Sequence, residues 1–85
     1  MWAVAYSADA LKTLTRMDAT VARRLGAKIL DLAKDPLVPR NNVKRMKGVD
    51  AYRYRMGDWR VGYTLNREAK ILTVIAAGPR GSVYE

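Results

Sequence analysis

The chain has 85 residues, about half of them apolar, and sixteen basic against eight acidic side chains give it a net charge of +8. That length predicts one domain over residues 1–85 with a modest core, and the apolar share predicts a folded chain rather than a disordered one. With neither cysteine nor histidine present, disulfides, thiolate metal sites and an imidazole general base are all excluded.

Residues 2–6 alternate weakly and are aromatic at both ends, so they read as a first strand. The same stretch is too short and uncharged for a secretory signal. Ser7 is a candidate N-cap for a short helix running to about Arg16, with Leu11 and Leu14 marking its buried stripe. Asp18 is a second candidate cap. Beyond it Val21, Leu25, Ile29 and Leu32 recur at helical spacing. Pro36 ends this helix near Lys34, because the residue before a proline is driven out of the α region. Gly26 falls mid-helix, where it costs roughly 1 kcal/mol against alanine; close approach of the neighbouring helix is expected to offset this. The two helices form an αα-hairpin with a very short joint.

Residues 35–43, with Pro36, Pro39 and two asparagines, read as a loop. Residues 43–46 form a brief extended piece, which Gly48 breaks. Two strands follow, at about 51–56 and 59–66. Gly57-Asp58 joins them, since a two-residue hairpin turn needs a positive φ that glycine tolerates. Alternation puts Tyr52, Tyr54 and Met56 on one face and Arg53 and Arg55 on the other. Across the turn Trp59, Val61 and Tyr63 join the first face and Arg60 the second. Residues 66–69 are a polar turn, residues 70–77 an Ile- and Val-rich central strand, and Gly78-Pro79 stops it. The expected fold is α+β, in the order β-α-α-β-β-β: a helical hairpin packed on one face of a small, mainly antiparallel four-stranded sheet. No apolar run approaches the roughly 18 residues of a membrane span. No membrane partner is therefore expected, and a soluble cytoplasmic protein is.

The charge is concentrated. Between residues 44 and 60 the six cations Lys44, Arg45, Lys47, Arg53, Arg55 and Arg60 meet only Asp50 and Asp58, a local charge of +4. Such a patch suits nucleic acid or an acidic protein, or else is simply a solvated basic surface. The hairpin alone gathers three guanidiniums on one side, which is unfavourable unless an anion visits them. RNA phosphate is the obvious visitor. The plainer reading of Arg53 and Arg55 is that they deter edge-to-edge pairing, and that of Arg60 is that it braces Asp58.

This order of elements resembles the RelE/ParE superfamily of bacterial toxin–antitoxin proteins, almost from end to end. The resemblance is carried by the helical hairpin closing on Asp35-Pro36, by Met46-Lys47-Gly48, and by Tyr52-Arg53-Tyr54-Arg55. It continues through Gly57-Asp58-Trp59-Arg60-Val61-Gly62-Tyr63 to the closing Gly78-Pro79-Arg80 with Val83-Tyr84. Single pieces are weak; their order and spacing in so short a chain are strong. RelE-type members are ribosome-dependent endoribonucleases that cut mRNA in the A site, whereas ParE-type members poison DNA gyrase. The resemblance implies a catalytic set of Arg55, Arg60, Arg80 and Tyr84, with Arg53 beside them. It also implies a cognate antitoxin, the ribosome and mRNA as partners, and neither cofactor nor metal. The best-known RelE pattern has lysines where this chain has Arg53 and Arg55, and an arginine effectively never loses its proton.

Metal-free RNA cleavage uses the ribose 2′-OH as nucleophile, and its transition state gathers charge on phosphoryl oxygens. Preorganised cations meet that need. Arg55 and Arg60 are expected to hold the scissile phosphate, because a guanidinium donates to two oxygens at once. Arg80 is expected at the leaving oxygen, and Tyr84 to stack on a base or orient the 2′-OH. Lys44, Arg45 and Lys47 are expected to steer the RNA backbone. Arg80 as a loop charge and Tyr84 as a packing contact are the plainer alternatives. Three functions stay open: an mRNA endoribonuclease, a gyrase-inhibiting toxin without nuclease activity, and an inactive RNA-binding relative.

Overall fold

The computed structural model describes residues 1–48 and 50–79. Among these residues, two helices and five strands follow the order β1 (Ala3–Tyr6), α1 (Ala8–Arg16), α2 (Ala19–Lys34), β2 (Val43–Arg45), β3 (Ala51–Met56), β4 (Trp59–Asn66) and β5 (Ile71–Pro79). The strands make one sheet in the spatial order β1-β5-β4-β3-β2. All neighbours are antiparallel except β1 and β5, which run parallel. The chain passes from β1 to its parallel neighbour β5 through the helical hairpin and β2–β4, far longer than the roughly a dozen residues a parallel connection needs. The sheet thus has five strands where four are expected from the sequence. The extended piece at residues 43–45 pairs with β3, Val43 opposite Tyr54 and Arg45 opposite Tyr52.

Local chemistry fixes the helix ends. Ser7 caps α1, its Oγ accepting from the Ala10 amide at 3.1 Å, and its hydroxyl donates to the Ile75 carbonyl at 3.2 Å. One side chain so ties the helix start to β5. Asp18 caps α2 by accepting from the Thr20 amide at 3.2 Å, and α2 stops at Lys34, two residues before Pro36. The Trp2 amide donates to the Ala33 carbonyl at 2.8 Å, anchoring the start of β1 to the end of α2.

The core lies between the helices and one sheet face. Leu25, Ile29, Leu32 and Ala33 of α2 meet Tyr54, Val61, Tyr63, Leu65, Leu72 and Val74 of the sheet. Tyr63, 1% exposed, is the largest of the fully buried side chains. Trp2, Met56 and Trp59 pack against this core half-buried. Two sequence expectations need correction here. Leu11 is 52% exposed and Leu14 only half-buried, while Ala10 is fully buried. Helix α1 packs chiefly against β5, and a small residue lets its backbone come close. Gly26, moreover, has nothing within 4 Å of where a Cβ would stand. No close helix approach accounts for it.

The hairpin is as expected. Met56 pairs with Trp59 around a two-residue turn, with Gly57 at a φ of +58°. Strand β5 carries a bulge opposite the step from Gly62 to Tyr63. Gly62 pairs with Ala76 and Tyr63 with Val74, leaving Ile75 as the extra residue. The bulge resets the alternation, so that Ala77 pairs with Val61 on the core side and Gly78 with Arg60 on the open side. Strand β5 runs on through Pro79, opposite Trp59, rather than stopping before Gly78.

Candidate nucleic-acid interface

Register assembles the basic residues. Lys44 of β2 is opposite Arg53 of β3, Arg53 is opposite Gly62 of β4, and Arg55 is opposite Arg60. Register partners share a sheet face, so these four cations stand together on the face away from the helices. Their neighbours on that face are Gly62, Ala76 and Gly78, which place little bulk beside the long side chains. The result is a hollow of about 390 Å³ lined by Asn41, Asn42, Lys44, Arg53, Arg55 and Arg60. A second lobe of about 540 Å³ continues it towards the turn, lined by Asn42, Arg55, Gly57, Asp58 and Arg60. Among the described residues, no carboxylate lines the first lobe.

The guanidinium of Arg60 is held by the turn itself. It donates to the Gly57 carbonyl at 3.1 Å and to the Trp59 carbonyl at 3.2 Å. Arg60 therefore braces backbone oxygens and not Asp58, and these bonds fix where its charge points. Arg55 is positioned through its main chain. Its amide donates to the Asn42 carbonyl at 2.8 Å, and the Asn42 Nδ2 donates back to the Arg55 carbonyl at 3.2 Å. Asn41 and Asn42 are the central residues of a turn closed by the Val43 amide on the Arg40 carbonyl at 3.2 Å. Sequence reasoning passed over both asparagines as loop residues. The available signal was their position just before a strand that pairs with the Arg53-Arg55 strand.

Asp50 takes no part in neutralising the hollow. Its carboxylate accepts from Arg67 Nε at 2.8 Å, from a second Arg67 nitrogen at 3.1 Å and from the Tyr52 hydroxyl at 2.6 Å. Arg45 stands 4.0 Å from the same carboxylate. The hydrogen bonds from Arg67 and then from Tyr52 hold the Asp50 carboxyl down at about 2. Burial, helped by the hydrogen bond to Asp50, pushes the Tyr52 phenol up. Tyr52 also stacks on Tyr63, ring centres 5.3 Å apart, and burial pushes the Tyr63 phenol up to about 12. A third concavity of about 320 Å³, whose wall includes Leu37, Arg40, Arg45 and Arg67, adjoins this cluster.

The structure thus brings together four of the residues singled out from sequence: Lys44, Arg53, Arg55 and Arg60. Arg45 is separated from them, because adjacent strand residues point to opposite faces. Lys47 is exposed after β2 and lines neither lobe of the hollow. Arg80 and Tyr84 lie outside the described residues. Among the described residues, no cluster of carboxylates that could hold a metal ion occurs, and no helix is long and apolar enough to cross a membrane.

Residues 4–84 match the family model described as the ParE toxin of the type II toxin–antitoxin system parDE. No functionally curated protein matches the chain. Among solved structures, the archaeal RelE–RelB complex from Pyrococcus horikoshii OT3 contains a chain 30% identical to this one. The match covers 96% of this chain and 98% of that one, with a TM-score of 0.82. The intact Escherichia coli RelBE toxin–antitoxin complex contains a chain of the same fold at 22% identity, 93% and 96% coverage and a TM-score of 0.80. A YoeB/ParE toxin from Agrobacterium tumefaciens shares the fold at 15% identity, 92% and 98% coverage and a TM-score of 0.75. On the family match and the archaeal relative together, the chain belongs to the RelE/ParE superfamily of type II toxins.

Proposed function

We propose that this chain is the toxin of a type II pair and that it cuts mRNA in the ribosomal A site. The observation that carries the reading is the cross-strand pair of Arg55 and Arg60, with Arg53 and Lys44 beside them, around one open hollow. Like charges directly opposite on a sheet are destabilising. Four of them in one concavity suit a polyanion.

In this reading Arg55 and Arg60 donate to the nonbridging oxygens of the scissile phosphate. The ribose 2′-oxygen attacks that phosphorus, a 2′-O–P bond forms, and the P–O5′ bond breaks. The products are a 2′,3′-cyclic phosphate and a 5′-hydroxyl. Charge grows on the phosphoryl oxygens in the transition state, where fixed donors help most; removing one such donor costs roughly 10²–10³ in rate. Arg53 and Lys44 hold flanking phosphates. Arg45 and Lys47, outside the hollow, contribute long-range steering. The guanidiniums stay protonated, so the 2′-OH proton leaves to another acceptor. Tyr84 is the candidate acceptor in this reading; by resemblance Arg80, which follows Pro79, meets the leaving 5′-oxygen and stabilises its charge, and that oxygen takes its proton from water. Ribosomal binding of the message supplies the in-line geometry, an entropic contribution of several kcal/mol. A cognate antitoxin is proposed as partner, by analogy with the RelE–RelB and RelBE complexes.

A gyrase-inhibiting toxin is the second reading, and the match to a ParE family model favours it. The two separate on brief induction of the chain in cells. Mapping mRNA 5′ ends on ribosomes shows new, discrete ends if messages are cut. Loss of plasmid supercoiling with messages intact would establish the gyrase reading and remove the nuclease one.

A further inference from the structure

We propose that Asn41 reads a base beside the phosphate held in the hollow and thereby sets the sequence preference of this chain; the inference rests on the RNA-binding reading above. Among the described residues, the first lobe is lined by four cations and two carboxamides. Cations answer to phosphate, which is the same in every nucleotide, so they position RNA without reading it. A carboxamide presents a donor and an acceptor side by side. That pattern distinguishes one base edge from another in an unstacked single strand.

The two asparagines differ in what else they do. Asn42 is committed to Arg55, as its side-chain nitrogen and main-chain oxygen both bond that residue's backbone. The Asn41 side chain takes part in none of the hydrogen bonds that form this turn, and it is exposed at the wall of the hollow. Nor does the backbone call for asparagine at position 41. Among the described residues Lys70 is the only one other than glycine with a positive φ. Asn42 is therefore a positioning residue for Arg55, and Asn41 is the specificity residue.

The test is binding of the full chain to single-stranded pentanucleotides with one base varied at a time, carrying 2′-deoxy sugars so that nothing is cut. The expected wild-type spread among the four bases at one position is roughly tenfold, as for one good side-chain–base contact. Asn41→Ala is expected to shrink that spread to within about twofold, by loss of affinity for the preferred base, while the salt dependence stays put. Asn41→Asp replaces the donor with a second acceptor oxygen, so preference moves towards guanine, whose N1–H and N2–H both donate. A wild type that does not discriminate, or an Asn41→Ala variant with the wild-type spread, overturns the inference. Absence of any binding removes it together with the RNA reading. Discrimination among pentanucleotides combined with uncut messages on ribosomes supports Asn41 and sinks only the cleavage step.

Discussion

Arg55 and Arg60 stand directly opposite each other across the β3–β4 ladder, although they are held by different means. Arg60 rests on the carbonyls of Gly57 and Trp59, and Arg55 is fixed through its main chain to Asn42. The pair is a local electrostatic conflict that the sheet maintains.

That conflict predicts opposite effects on stability and function. Arg55→Gln is expected to stabilise the fold by about 0.2–1 kcal/mol through relief of cross-strand repulsion. Arg60→Gln loses its bonds to the turn, worth about 0.5–1.5 kcal/mol, and gains nothing overall. Both variants are expected to lower message cleavage by roughly 10²-fold or more. Thermal unfolding together with 5′-end mapping checks this. An Arg55→Gln protein that melts below wild type and cuts at the wild-type rate contradicts it.

The hollow also predicts a salt dependence. Four phosphate contacts on a single strand give a slope of log affinity against log salt near −3, and Arg55→Gln reduces it to about −2. Fluorescence anisotropy with a short labelled RNA across a salt series measures both. A flat response removes the phosphate-binding face.

Asp50 predicts an acid transition. Its folded-state pKa, about 2, lies below the ordinary carboxylate value because Arg67 and Tyr52 donate to it. A depressed carboxylate stabilises the fold at pH above the unfolded-state value of about 4, and the gain is lost as pH falls through about 2. The side chain is 29% exposed, so solvent screening discounts the gain to about 1 kcal/mol. Asp50→Asn is expected to lower stability by about that much at pH 7 and to flatten the stability profile between pH 4 and 2. Urea unfolding across that range reads the difference. An unchanged profile means that the Arg67 pair contributes nothing.

Gly26 and Gly57 predict opposite responses to alanine. Gly26 lies in α2 with open space where a Cβ would go, so Gly26→Ala is expected to stabilise by about 0.5–1 kcal/mol. At this size that raises the melting temperature by about 2–8 °C. Gly57 has equally open space but a φ of +58°, so Gly57→Ala is expected to cost about 1–2 kcal/mol. Calorimetry of the two variants tests whether space or backbone conformation decides. Equal effects would contradict the reading of one of them.

Much of this was legible from short stretches of sequence. The hairpin bounds, both helix caps and the sides taken by Tyr54, Arg53, Arg55 and Arg60 follow from spacing and from single residues such as Ser7, Asp18 and Gly57. Each of those signals acts within a few residues along the chain. Leu11 misled because a helical stripe marks which residues could be buried, and the close approach of α1 to β5 selected Ala10 instead. Asp50 misled because charge counted along residues 44–60 ignores a partner seventeen residues away at Arg67.

The sequence by itself therefore determined the alphabet of elements and the face on which each arginine would lie, since steric alternation and capping are properties of adjacent residues. The tertiary structure alone decided that β2 joins the sheet and sets Lys44 against Arg53. It alone brought Asn41 and Asn42 to the hollow and drew Asp50 away to Arg67. Those outcomes depend on strand register and on contacts between distant segments, and the energy that selects a register is available only once the strands and the core have come together.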